Sequence, residues 1–330
     1  MSKYVGKRVV IKEVGKIEVA SWEQKAPGKG EVTLKIDASL VSAGTEVSVA
    51  YGYHMKAKTY EYPRNTGYIS AGRIIDAGEG VDPSVVGKRV ITATGHLAYL
   101  TRSYVPSELI PIPDGLPLEH AVFTQLATIS IRAVRNARVQ IGDSFLITGM
   151  GLIGQFAQIF ARLNGAHPVV GLDLSERRLD IARKTGLRYA LNAGAPDINK
   201  QLSDIVPGGR FMTTIDSTGT PNVIASLPAK TAKFGKIVVL GGVHKTVDMD
   251  MYSDLQKQTQ TIFGAGEPDP RDYPYDERRN REVILQLMAD KLINVAPLLT
   301  HHVPVDQAPD MYRMLHEEKD KGMGVVFKWD

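Results

Sequence analysis

The sequence predicts an α/β protein in which a β-rich domain precedes a doubly wound parallel sheet. Three observations lead there. The first is the stretch Ser144–Gly154, SFLITGMGLIG, a strand that runs into the spacing G-x-G-x-x-G and then into a helix. The second is the regular alternation of apolar strands and amphipathic helices from that point to Phe263. The third is a run of short strands, punctuated by proline and glycine, over residues 1 to about 115.

In chain order the early strands are Arg8–Glu13, Ile17–Glu23, Glu31–Ser39, Ile69–Ala77, Arg89–Thr94 and Tyr104–Pro111. Pro27, Gly28, Gly30, Gly78, Gly80, Pro83 and Gly87 separate them, which suits a compact β domain or barrel. A helical pattern over Leu118–Arg138 connects this domain to the alternating part. There the expected order is strand Ser144–Thr148, helix Gln155–Asn164, strand His167–Asp173, helix Glu176–Thr185, a strand near Tyr189 and helix Ile198–Ile205. Strand Phe211–Asp216, helix Val223–Lys233, strand Lys236–Gly241 and strand Thr259–Phe263 complete it. Such alternation places a parallel sheet between two helical layers. The charged, proline-rich stretch EPDPRDYPYDERRNRE reads as a surface loop leading into a helix Arg281–Asp290, with a border of the active cleft as the other reading. The tail, ending in a strand Gly324–Trp329, is expected to rejoin the first domain. The domains are therefore 1–123, completed by 265–330, and 124–264.

Each glycine of the motif has a physical task. Gly149 permits a tight exit from the strand, Gly151 permits close approach of backbone to a pyrophosphate, and Gly154 permits close packing of helix on strand. With Leu152 and Ile153 they form a helix N-terminus, where free N–H groups and the helix dipole favour an anion. Asp173, at the end of the second strand, can accept hydrogen bonds from both hydroxyls of an adenosine ribose. Its charge would repel a 2′-phosphate, so NAD is favoured over NADP, with Ser175, Arg177 and Arg178 nearby as a partial offset.

Composition excludes several classes. The 40 basic and 36 acidic residues are dispersed, the net charge is +4, and no nucleic-acid-reading motif is present. No apolar run reaches membrane-spanning length and the first residues lack the apolar core of a signal peptide, so a cytoplasmic protein without membrane partners is expected. The absence of cysteine removes disulfides, a thiol nucleophile and any thiolate-bound metal.

Taken together, Pro27-Gly28-x-Gly30-Glu31-Val32, Gly72-Arg73-Ile74, Gly87-Lys88-Arg89-Val90, Gly149–Gly154 with Asp173, Asp216-Ser217-Thr218-Gly219 and Gly235-Lys236-Ile237-Val238 with Gly241-Gly242 follow a recognisable order. Over nearly its whole length the chain resembles the medium-chain dehydrogenase/reductase superfamily. The resemblance implies a GroES-like β-barrel catalytic domain, a Rossmann domain with Ser217 and Gly241 also near the cofactor, and a homodimer or tetramer built on the edge strand Thr259–Phe263. Zinc-dependent members of that superfamily carry ligands where this chain has Ala43, Tyr68 and the vicinity of Thr124 and Gln125, so no metal is expected. The segments Ser42–Glu46 and Gly67-Tyr68-x-Ser70-x-Gly72 are similar to a zinc-independent branch that includes hydroxyethyl-bacteriochlorophyllide dehydrogenase.

Without a metal, side-chain donors must hold the substrate oxygen and move its proton. The resemblance implies that Thr45 touches the substrate oxygen and that Tyr68 points into the same cleft. Ser48 stands where a relay histidine is usual, and His54, Tyr51, Tyr53 and Lys56 are substitutes for it. Glu46 orients the site or forms a structural ion pair, while His301 and His302 read as loop or strand-end residues and His96 and His120 carry no constellation. The expected function is a zinc-independent, NAD-dependent oxidoreductase acting on a secondary alcohol or ketone of a small, polyhydroxylated or cyclic molecule. An enoyl or quinone reductase and a dinucleotide-binding protein without turnover are the alternatives.

Overall fold

The computed structural model describes every residue except 1–2, 55, 57–58, 244 and 267–275. The charged stretch singled out in the sequence therefore lies largely outside the described residues. The chain divides into two compact units, residues 1–125 with 281–330 and residues 126–280. Of the residues assigned to the first domain from sequence, 265–266 and 276–280 fall in the second unit.

The first unit opens with β1 (Tyr4–Glu13), β2 (Lys16–Gln24) and β3 (Glu31–Leu40), followed by α1 (Ala43–Ala50). It continues through β4 (Arg64–Asn65), β5 (Ser70–Ala77), β6 (Arg89–Thr92), β7 (Tyr99–Ser103), β8 (Ile110–Pro111) and α2 (Leu118–Ala121). The expected strand Tyr104–Pro111 does not form as one element. Pro106, which has no N–H to give a ladder, opens a 3₁₀ turn over Pro106–Glu108, and the pairing is split between β7 and β8. Helix α1 was not anticipated at all. The single helix expected over Leu118–Arg138 is interrupted at Val122–Phe123, and α3 (Thr124–Asn136) carries its second part.

The second unit is built on β9 (Phe145–Thr148), α4 (Leu152–Leu163), β10 (Val169–Asp173), α5 (Glu176–Lys184), β11 (Tyr189–Asn192), α6 (Ile198–Ile205) and β12 (Phe211–Asp216). Two short helices, α7 (Pro221–Ala225) and α8 (Leu227–Lys230), replace the longer one expected over Val223–Lys233. Thr231 already starts β13 (Thr231–Val239), whose bulge at Phe234 has a φ of 64°. β14 (Thr261–Gly264) ends a six-stranded sheet in the order β11-β10-β9-β12-β13-β14, with every pairing parallel. This order reverses at β9, and in such sheets ligands bind beyond the carboxyl ends of the strands at that point.

Helix α9 (Glu277–Ala289) precedes β15 (Leu299–Pro304), α10 (Ala308–Glu317) and β16 (Gly324–Lys328). β16 pairs antiparallel with β3, Val326 opposite Leu40, and so joins the tail to the first unit's sheet β15-β16-β3-β5-β6-β8. Val32, Leu34, Ile36, Tyr312, Val325 and Phe327 fill one core there, so α10 and β16 are packed into the domain rather than appended to it. Its smaller sheet runs β2-β1-β4.

Candidate functional site

In the second unit the glycine turn has the geometry its residues require. Gly149 leaves β9 with a φ of 88°, a left-handed conformation in which a Cβ would also lie 2.8 Å from Thr218 Cγ2. A Cβ on Gly154 would sit 1.8 Å from the carbonyl oxygen of Gly149, so only glycine lets α4 start so close to the turn. A Cβ on Gly151, by contrast, would meet nothing within 4 Å. Open space beside Gly151 at the start of a twelve-residue helix fits a pyrophosphate. The helix begins at Leu152, not at the expected Gln155, so Leu152, Ile153 and Gly154 make its first turn and their N–H groups have no partner one turn back. The Ile153 carbonyl is held by the Ser130 hydroxyl at 2.8 Å.

Asp173 closes the other side of this group. Its Oδ2 accepts from the Met150 N–H at 2.7 Å and its Oδ1 from the Ser175 N–H at 2.9 Å, while Arg178 Nη1 stands 3.7 Å from Oδ2. Ser175 contributes through its backbone and precedes α5 without capping it by its side chain. Ser217 turns its hydroxyl inward, donating to the carbonyls of Thr148 and Gly149 at 3.0 and 2.7 Å, and so braces the turn. Gly241 lies against the Ser217–Gly219 loop, where an added Cβ would come 2.2 Å from Gly219 N. Asp216, quoted in the sequence only as part of a motif, holds that loop: its fully buried carboxylate accepts from the N–H groups of Thr218 and Gly219 and from the hydroxyls of Thr148 and Thr218.

The first unit assembles a second group around α1. Ser42 precedes the helix, but its side chain makes no capping bond. Glu46 instead reaches back from within the helix, its Oε1 accepting the Ser42 N–H at 2.7 Å. The Ser42 hydroxyl is thereby left to accept from the Tyr68 hydroxyl at 2.7 Å, and the side chain of Thr45 adjoins the same phenol. Burial pushes the Tyr68 phenol above its ordinary value of 10.0, so it is protonated at neutral pH and suited to donate. Ser48 does not join this group; its hydroxyl donates to the Thr45 carbonyl at 2.7 Å within the helix. His54 belongs to a separate cluster, with Nδ1 2.9 Å from the Tyr60 hydroxyl and 3.2 Å from the Lys56 N–H. Tyr51 stacks on His316 with ring centroids 3.8 Å apart.

Beneath α1 lies a buried network that corrects the reading of His96 as a residue without a constellation. Glu46 Oε2 meets His96 Nε2 at 3.0 Å, the Thr66 hydroxyl at 2.9 Å and the Tyr312 hydroxyl. His96 Nδ1 meets Ser39 Oγ at 2.8 Å, which in turn accepts from Trp329 Nε1 at 2.9 Å. Burial alone would raise the Glu46 carboxyl, but His96, Tyr312 and the Ser42 N–H outweigh it and hold it below its ordinary 4.5. The Tyr312 phenol, buried beside this carboxylate, is pushed well above 10.0. Glu46 thus ties the start of α1 to this buried network. Tyr312 is more than two hundred positions away in sequence, so no local spacing could have announced it.

The side chains at the three zinc-ligand positions of the resemblance do not fit that metal: Ala43 offers a methyl group, Tyr68 a protonated phenol, and the third position a threonine and a glutamine. Among the described residues, no three His, Cys, Asp or Glu side chains are grouped so as to hold a metal ion.

Fold and geometry together define an α/β protein with a Rossmann-like parallel sheet and a separate sheet domain. Residues 153–279 match the zinc-binding dehydrogenase family. The chain is 24% identical over 313 residues to L-threonine 3-dehydrogenase of Pyrococcus furiosus, covering 86% of this chain and 87% of that one. It is 27% identical over 271 residues to D-guloside 3-dehydrogenase of Escherichia coli, covering 79% and 77%. Among solved structures it superimposes on a short chain alcohol dehydrogenase of E. coli CFT073 complexed with NADH (TM-score 0.83, 18% identity, 99% and 100% coverage). It also superimposes on a zinc-binding dehydrogenase of Sinorhizobium meliloti 1021 bound to NADP (TM-score 0.81, 18% identity, 99% and 100% coverage). The relatives that the chain matches are themselves dehydrogenases, and the solved structures share its fold.

Proposed function

We propose that this chain is an NAD-dependent oxidoreductase that moves a hydride between a secondary alcohol or ketone and the nicotinamide without using zinc. Its substrate is a small polyhydroxylated or cyclic molecule. The observation that carries the reading is the glycine turn, open beside Gly151 and closed by Asp173. Relatives named for threonine and guloside oxidation at carbon 3 support a secondary alcohol as the reacting group.

The nicotinamide, when bound, supplies the hydride acceptor or donor. The chain supplies the rest. The first turn of α4 receives the pyrophosphate, and the free lone pairs of Asp173 accept ribose hydroxyls. Tyr68, kept protonated by burial, donates its proton to the substrate oxygen as a carbonyl is reduced; Thr45 steadies that oxygen. In the oxidising direction the alcohol proton returns through the same hydroxyls to water, so one hydride and one proton leave the substrate. Glu46 and His96 hold the start of α1 so that Ser42 and Tyr68 stay paired. A homodimer along β14, the free end of the six-stranded sheet, is the assembly that fits this reading.

A binding titration tests it. Tight binding of NADH, with weaker binding of NADPH, is expected; equal or stronger binding of NADPH contradicts the cofactor assignment, and binding of neither contradicts the function.

A further inference from the structure

One fully buried polar side chain of the second unit is not explained by the motif. Gln155 lies in α4 just after the last motif glycine, with no exposed surface, and its amide is shared between three neighbours. Its Nε2 donates to the Met150 carbonyl at 3.1 Å and to the Arg178 carbonyl at 3.0 Å, and its Oε1 accepts from the Thr185 hydroxyl at 3.2 Å. Gln158, one turn on, donates to the same Thr185 hydroxyl at 2.9 Å. Met150 is the residue whose N–H is held by Asp173, and Arg178 is the residue whose guanidinium stands 3.7 Å from that carboxylate.

These bonds close a ring. Asp173 holds one side of Met150, Gln155 holds the other, and the same glutamine fixes α5 at Arg178 and, through Thr185, at its far end. The separation between Asp173 and Arg178 therefore depends on an amide that touches neither charged group. Asp173 repels a 2′-phosphate, and the nearby guanidinium offsets part of that charge.

We propose that Gln155 is a positioning residue for the Asp173–Arg178 pair and sets how strongly this site distinguishes NADH from NADPH, an inference that rests on the dinucleotide site proposed above. With the amide gone, α5 loses its tie to the glycine turn, Arg178 draws away from Asp173, and the carboxylate faces a 2′-phosphate with less compensation. NADH, which carries no charge at that position, is little affected.

The test is calorimetric binding of NADH and NADPH to the full chain and to Gln155→Met, which keeps the length of the side chain and removes its hydrogen bonds. The expected result is an NADPH dissociation constant raised about fivefold, the scale of a partly exposed ion pair, with NADH changed less than about twofold. Thr185→Val, which removes the Oε1 anchor together with the Gln158 bond but leaves both Nε2 bonds of Gln155, moves the ratio in the same direction by less and keeps the test alive if the glutamine variant does not fold. Arg178→Ala supplies the cycle: combined with Gln155→Met it adds nothing further, because both act through one guanidinium. Equal weakening of both dinucleotides in Gln155→Met, or additive effects in the double variant, overturns the proposal and leaves Gln155 a structural brace. If the unaltered protein binds neither dinucleotide, it is the dinucleotide reading that falls.

Discussion

Tyr68 and Glu46 show how much one side chain decides. The Tyr68 phenol is raised above 10.0 chiefly by burial, so ketone reduction should hold steady through neutral pH and decline only above that value, where the proton to be donated is lost. Tyr68→Phe should lower kcat about a hundredfold or more, with NADH affinity unchanged in a titration, because only the donor to the substrate oxygen is removed. Glu46 works in the opposite sense. Its carboxyl is held below 4.5 in the folded chain, so the native state binds fewer protons than the unfolded one. The stability it contributes is complete above pH 4.5 and is lost as pH falls through the lower, folded value. Glu46→Gln should therefore unfold at a lower temperature at pH 7, and the gap from the unaltered protein should narrow as the pH is taken below 4.5 in thermal melts. Thr45, Tyr68 and Glu46 could be named from the sequence because they stand at positions with a resemblance. Ser42, His96 and Tyr312 could not, since their roles depend on the Glu46 carboxylate turning back to the start of α1 and on a helix that arrives from the far end of the chain.

The elements that were legible are those whose local chemistry and packing agree. Helix Ile198–Ile205 and strand Phe211–Asp216 are found where their periodicity placed them. Those missed had weak or conflicting signals. α1, with a glycine in its first turn and small or β-branched residues after it, has little helical propensity, and the buried Glu46 stabilises its start. The strand expected over Tyr104–Pro111 yielded to Pro106, and the helix expected through Lys233 yielded to the early start of β13. In the turn between β9 and α4, the arguments for Gly149 and Gly154 became distances, while Gly151 borders open space. Gly154→Ala would drive a methyl group into the Gly149 carbonyl, and it should cost about 2 kcal/mol or more in denaturant unfolding of the second unit while abolishing NADH binding.

At the scale of the whole molecule, the glycine turn falls in one compact unit and the hydroxyl group around α1 in the other. No described helix is long and apolar enough to cross a membrane. If β14 pairs with its counterpart in a second copy, sedimentation should give a mass near twice 36.1 kDa, and a monomer at micromolar concentration would refute that assembly. What neither sequence nor fold encodes legibly is the shape of the substrate. It depends on loops and side-chain rotamers around Thr45 and Tyr68 rather than on any periodic pattern. The central claim, hydride transfer without zinc, is tested most directly by following NADH oxidation with a panel of cyclic and polyhydroxylated ketones before and after exhaustive chelation. Turnover that survives chelation and collapses in Tyr68→Phe is the predicted result. Turnover lost on chelation and restored by added zinc would contradict it.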